Sequence, residues 1–227
     1  MLRSPFPDVD IPDVSFTDFV LARADEFTDK PALIDGSTGR AITYGELARS
    51  VRMVAASLAE RGFSKGDVLA HYAPNLPEYA VTFHGVATAG GVNTTANPLL
   101  TVDEFTAQLR DSRARLLITV PELLDKATAA AERADVEEIF VYGEAGGATP
   151  FASLLRPGIE SSQVPVDPAT DLIALPYSSG TTGLHKGVML THRNLVANIC
   201  QCTYPAASPK TDEEFQAERA VAVLPFF

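Results

Sequence analysis

From Gly66 to Tyr142 the chain alternates short apolar runs with helix-patterned segments, and no other feature narrows the possible folds so far. The runs are DVLAHYA, GVNTTA, RLLITV and EEIFVY, and the segments between them are Pro77–Ala89, Val102–Ser112 and Pro121–Ala134. That order reads βαβαβαβ. Parallel strands need crossover connections and helices supply them, so the spacing predicts a doubly wound, mostly parallel α/β sheet flanked by helices. Thr101 with Glu104 forms a capping box, and Asn97-Pro98 reads as the turn leading into that helix, without a chemical role.

Upstream, SFTDFVLARADEF sets Phe16, Phe19, Val20, Ala24 and Phe27 at helical spacing behind a Ser15/Asp18 capping signal. PALID and RAITY flank the turn-prone Gly36-Ser37-Thr38-Gly39 and read as a hairpin. Thr43 and Glu46 then open a long helix through Leu47, Val51, Val54 and Leu58, with Gly62 as its stop. Gly143 to Pro150 and Arg156 to Thr170 are connections around a short helix at Phe151–Leu155. The chain has no fixed-period repeat and no low-complexity tract.

Composition decides which ligands are plausible. With 46% apolar and 21% charged residues the chain has enough apolar material for a substantial globular core. Its 18 Lys+Arg against 29 Asp+Glu give a formal charge of -11, a field that repels polyanions and argues against nucleic-acid binding. An anion such as ATP would need a local trap of backbone N–H groups, a lysine and a divalent cation. Residues 1–13 show no signal-peptide pattern, and no apolar stretch reaches ~18 residues, so the expectation is a cytoplasmic protein without a transmembrane segment. Cys200 and Cys202, two apart on a helix, do not face each other and carry no disulfide or metal expectation.

The trap is legible in LIALPYSSGTTGLHKGVMLTH, residues 172–192. Ser178, Ser179, Gly180, Thr181, Thr182, Gly183 and Lys186 lie close together with no acidic residue among them. Glycines let successive N–H groups converge on one anion, hydroxyls add donors and can ligate Mg2+, and Lys186 adds a mobile positive charge. A flexible surface turn has a similar composition, but here two apolar runs flank the loop and would fix both ends on a sheet. The P-loop of NTPases, GxxxxGK[ST], does not fit. Lys186 follows His185 and precedes Gly187, and the loop leads into strand-like Val188-Met189-Leu190, with the next helix starting near Thr191 and Asn194.

YSSGTTGLHKGVMLTHRNL resembles the phosphate-binding motif of the adenylate-forming (AMP-binding) superfamily of acyl-CoA synthetases, nonribosomal peptide adenylation domains and luciferases. TYGELARSV, KGDVLAHYAPNLPEY, GVATAGGVNTTANPLLTVDEFTAQL and the terminal AVLPFF agree as well, and the Asn-Pro stretch looks most like the 4-coumarate:CoA ligase branch. One departure stands out: His185 occupies the place where the family usually has proline. That loses a fixed φ and brings an imidazole near the phosphates, so altered loop rigidity is expected more than lost binding. His71, His84 and His192 are expected to be packing or capping residues.

The resemblance implies a ligase acting in two steps: carboxylate plus MgATP gives acyl-adenylate and pyrophosphate, then coenzyme A displaces AMP. Ser178, Ser179, Thr181 and Thr182 would hold phosphate oxygens, Gly180 and Gly183 would admit the backbone, and Lys186 would follow the β- and γ-phosphates. It also implies a division of the chain. Residues 1–13 are an extension, and 14–62 a helix-hairpin-helix segment belonging partly to a second subdomain. Residues 63–219 form the α/β subdomain with its phosphate-binding loop at 177–187, and 220–227 begin the next subdomain. Since members of the family continue well past this point, the chain corresponds to an amino-terminal portion and by itself is expected to be inactive. The apolar faces of 14–62 would lie open, favouring an oligomer. A non-catalytic nucleotide-binding or interaction module of the same fold is the alternative, and aryl and fatty acids both remain open as substrates.

Overall fold

The chain enters its first helix, α1 (Phe16–Leu21), through Ser15, whose hydroxyl oxygen accepts the Asp18 N–H at 3.1 Å. The computed structural model describes residues 8–158, 164–179, 185–203 and 211–227. Helix α1 is shorter than the spacing of Phe16 to Phe27 predicts. After Leu21 the backbone changes to tight turns, with Ala24 N–H bonded to Leu21 O, Glu26 to Arg23 and Lys30 to Phe27. The chain then advances in steps of three, and Ala24, Phe27 and Lys30 are the residues that turn inward.

The expected hairpin forms from β1 (Pro31–Ile34) and β2 (Ala41–Thr43), paired antiparallel. Its turn is held by Asp35, whose carboxylate accepts the N–H of Ser37 at 2.8 Å and of Thr38 at 3.2 Å. A reciprocal cap between Thr43 and Glu46 starts α2 (Tyr44–Glu60), which ends at Gly62 with φ +75°.

The alternating region follows in order: β3 (Val68–Tyr72), α3 (Pro77–Thr88), β4 (Val92–Thr95), α4 (Val102–Ser112), β5 (Ala114–Thr119), α5 (Leu124–Arg133) and β6 (Glu138–Val141). Pro121–Leu123 is a separate 3-10 turn ahead of α5, so the segment Pro121–Ala134 is not one continuous helix. A two-residue β7 (Thr149–Pro150) precedes a second 3-10 turn at Phe151–Leu154. The remaining elements are β8 (Leu172–Ser179), β9 (His185–Gly187), β10 (Leu190–Thr191), α6 (His192–Thr203) and α7 (Asp212–Ala217).

The sheet runs β10-β8-β4-β3-β5-β6-β7, parallel from β8 to β7, with β10 and β9 antiparallel to β8. It is the predicted doubly wound α/β arrangement. Strand β3 is buried along its whole length because both faces are covered. Leu69 faces α2 and α3, in a cluster with Val51, Val54, Leu58, Tyr79 and Val86. Val68, Ala70 and Tyr72 face α4 and α5, in a cluster with Phe105, Leu109, Ala127 and Ala130.

The expectation that residues 14–62 leave their apolar faces open is not met along α2. Leu47, Val51, Val54 and Leu58 are all buried, and α2 lies against α3 where Gly85 leaves room for Val54. Within that segment Val14, Val20 and Ile34 are the exposed large apolar residues. Among the described residues no helix is long and apolar enough to cross a membrane.

Candidate functional site

Strand β8 is pinned to the sheet by side chains of its neighbour β4. Asn93 donates to Ile173 O at 3.2 Å and to Phe83 O at 3.1 Å, and Thr94 Oγ1 donates to Leu175 O at 2.9 Å. Gln108 of α4 braces the same corner, donating to Thr94 Oγ1 at 3.2 Å and Thr95 O at 2.9 Å. Because the Asn93 amide N–H groups are committed to carbonyls, its Oδ1 faces His71 Nε2 at 2.7 Å and accepts that proton. His71 is then a neutral core residue: burial pushes it down to about 4, its ring stacks on Tyr79, and Nδ1 is buried with no hydrogen-bond partner among the described residues.

Pairing with β4 ends at Thr95–Pro176, yet β8 continues for three more residues, which pair with β9 instead. The result is a two-stranded ribbon projecting past the carboxyl ends of the parallel strands, the edge at which open α/β sheets take their ligands. Tyr177 stands opposite Gly187, Ser178 opposite Lys186, and Ser179 opposite His185. Directly opposed residues share a face, so the Ser178 and Lys186 side chains leave the ribbon on the same side, and both residues are exposed. Tyr177 belongs to the other face, where its ring lies on Gly187 and its hydroxyl donates to Asp111 Oδ2 at 2.6 Å. Burial first, and then the Asp111 carboxylate, push the Tyr177 phenol well above its ordinary range, so it stays protonated.

Of the residues expected to hold phosphate, Ser178 and Lys186 are thus brought together, and Ser179 pairs with His185 at the closing end of the ribbon. Gly180, Thr181, Thr182 and Gly183 lie outside the described residues. The expected strand at Val188-Met189-Leu190 is corrected: Lys186 already sits in a strand, Val188 and Met189 are exposed between β9 and β10, and only Leu190 is paired. Val188 N–H still bonds Pro176 O at 2.8 Å, in the register that sets Tyr177 opposite Gly187 and Leu190 opposite Ala174, but Pro176 has no N–H to return, so the ladder is incomplete there. Helix α6 begins close to the expected place. Thr191 and Asn194 exchange side-chain caps at 3.0 Å and 3.3 Å, and no disulfide joins Cys200 to Cys202 on it.

Two pairings at the carboxyl edge of the sheet escaped the sequence reading. Asp111, on α4, has nothing in its local sequence to mark it as the partner of Tyr177. Asn75, in the β3–α3 turn, brackets the terminal stretch, accepting Phe226 N–H at 2.9 Å and donating to Leu224 O at 2.7 Å, while Tyr79 reaches Phe226 O at 3.3 Å. Neither pairing is local, so no spacing rule finds it. Among the described residues no group of three or more His, Cys, Asp or Glu is placed to hold a metal.

The family model described as AMP-binding enzyme matches residues 20–227. The chain is 37% identical over 232 residues to 4-coumarate–CoA ligase-like 1 of Arabidopsis thaliana, covering 100% of itself and 41% of that relative. Its fold superposes with a TM-score of 0.80 and 28% identity on a long-chain-fatty-acid-CoA ligase from Archaeoglobus fulgidus, covering 88% of this chain and 41% of that one. An anthranilate CoA ligase in complex with anthranoyl-AMP superposes with a TM-score of 0.73 and 26% identity, over 81% of this chain and 36% of that one. The chain therefore spans roughly two fifths of the length of these relatives. With the model matching residues 20–227 and the sheet shared with these solved structures, this chain belongs to the AMP-binding enzyme family.

Proposed function

We propose that the protein activates a carboxylic acid with MgATP and passes the acyl group to coenzyme A. In the first step a carboxylate oxygen attacks the α-phosphorus and pyrophosphate leaves, giving the acyl-adenylate. In the second the coenzyme A sulfur attacks the acyl carbonyl and AMP leaves. The carboxylate is a weak nucleophile meeting a highly charged triphosphate, so the protein has to orient both and neutralise the departing pyrophosphate.

In this reading Ser178, Ser179, Thr181 and Thr182 give hydroxyls to phosphate oxygens, and Gly180 and Gly183 admit the backbone. Lys186 supplies the charge that follows the β- and γ-phosphates. Mg2+ enters as part of the substrate MgATP. The acid remains open at the level of class, since the relatives are named for 4-coumarate, a long-chain fatty acid and anthranilate.

The observation that supports it most is the opposition of Ser178 and Lys186 across β8 and β9, a hydroxyl and an ammonium on one exposed face at the carboxyl edge of the sheet. A hydroxyl donor and an ammonium on the same face give a chain of net charge -11 a local attraction for an anion. Titration calorimetry with MgATP tests it, alongside carboxylate-driven exchange of pyrophosphate into ATP. Lys186→Ala should weaken MgATP binding about tenfold or more. No uptake of MgATP, or uptake indifferent to Lys186→Ala, removes the reading.

A further inference from the structure

The phosphate reading needs Ser178 and Lys186 held in a fixed orientation, yet the ribbon that carries them has left the sheet. A two-stranded ribbon is marginal in water without support. Its front face, with Ser178 and Lys186, is exposed, so the support has to come from behind.

Tyr177 occupies that back face. A Cβ added to Gly187 would stand 3.1 Å from Tyr177 Cζ and 3.3 Å from its Oη, so the absence of a side chain at position 187 is what seats the ring. From there the hydroxyl reaches Asp111 Oδ2 at 2.6 Å. Asp111 is itself fixed: it lies on α4 two residues past Leu109, which with Phe105 is fully buried against the sheet. The bond therefore joins the ribbon to a helix whose inner face is packed on the sheet. It also engages the Asp111 carboxylate behind the ribbon, away from the face that would meet an anion.

We propose that Asp111 and Tyr177 are positioning residues, a brace that orients Ser178 and Lys186 toward a polyphosphate, with Gly187 as the seat of the tyrosine ring. The inference rests on the phosphate-binding reading for its purpose, but its geometry stands apart from it. Neither residue touches the nucleotide, and both act through the ribbon.

The test uses Tyr177→Phe, Asp111→Ala, Asp111→Asn and Gly187→Ala with two readouts. One is amide hydrogen exchange at Lys186 and Gly187 without ligand, and the other is the dissociation constant for MgATP. Tyr177→Phe and Asp111→Ala should each speed exchange and weaken MgATP roughly three- to tenfold, the range expected for one hydrogen bond to a charged group that is partly exposed. The double variant should be no worse than either single one, because both remove the same bond. Asp111→Asn keeps an oxygen acceptor for the phenol and should recover most of both signals. Gly187→Ala, which displaces the ring from the opposite side, should resemble Tyr177→Phe. The brace is overturned if Tyr177→Phe and Asp111→Ala match the parent protein in exchange, or if Asp111→Asn is no better than Asp111→Ala. A parent protein that takes up no MgATP defeats the phosphate reading instead, and the exchange readout still decides the brace.

Discussion

His192 Nδ1 accepts the backbone N–H of Phe16 at 3.1 Å, so the start of α6 grips the start of α1 across 176 residues of sequence. His84 of α3 grips the same turn: its Nδ1 lies 3.0 Å from Thr17 Oγ1, and its ring stacks on Phe16. An imidazolium has no acceptor nitrogen, so the His192 contact exists only while the ring is neutral.

Acid should therefore destabilise the fold. Burial pushes His71 and His84 from 6.5 down to about 4. His192 is also lowered, by burial above all and by the Lys65 charge, although Asp171 and Asp18 pull the other way. The folded chain binds these protons less readily than the unfolded chain, so stability rises with pH. The contribution is complete above about 6.5 and drains away as the pH falls toward about 4, with a ceiling on the order of 3 kcal/mol for each of His71 and His84. Urea melts between these limits should show it, and His84→Gln, which has no proton to take up, should flatten part of the slope. A flat profile would contradict the account.

The contact between α2 and α3 should be intolerant of one methyl group. A Cβ at Gly85 would stand 2.4 Å from Val54 Cγ1, so Gly85→Ala forces the helices apart despite the better helix propensity of alanine. Overpacking of this kind costs roughly 1–3 kcal/mol. Val54→Ala removes the obstructing group, and the Gly85→Ala/Val54→Ala pair should be more stable than the sum of the single losses. Strict additivity in denaturant melts would mean the two residues do not meet as described.

Asn75 should control the order of residues 224–226 more than global stability. Asn75→Ala removes both hydrogen bonds, and Asn75→Asp keeps the acceptor for Phe226 N–H while setting a carboxylate against Leu224 O. Asn75→Ala should raise amide exchange at Phe226, and Asn75→Asp, which keeps that acceptor, should raise it less, with a melting cost of about 1 kcal/mol per lost bond. Unchanged exchange at Phe226 would show that Asn75 is not the anchor.

Most of the α/β framework was legible because its determinants are local. Capping pairs at Thr43/Glu46 and Thr101/Glu104, proline at the start of α3, and runs bounded by turns each act within a few residues. The failures occurred where a long-range demand replaced the local one. Phe27 and Ala24 carry a helical spacing, yet tight turns bury them as well as a helix would. Val188-Met189-Leu190 is apolar enough for a strand, but Pro176, which stands opposite Val188 in the register of β8, has no N–H to complete the pair. In the candidate site the Ser/Gly/Thr/Lys composition suggested a phosphate-binding chemistry, whereas the Tyr177–Asp111 bond, 66 residues apart in sequence, left no trace in it.

By itself the sequence determined the sheet type, the helices that cover it and the loop chemistry suited to phosphate, since periodicity, caps and side-chain charge are properties of short stretches. Tertiary structure alone decided that Ser178 and Lys186 face the same way, that Asp111 stands behind Tyr177, and that His84 and His192 close on α1. Those relations depend on which faces of distant elements come into contact, and burial of the whole core, summed over both sides of the sheet, is what selects the contact.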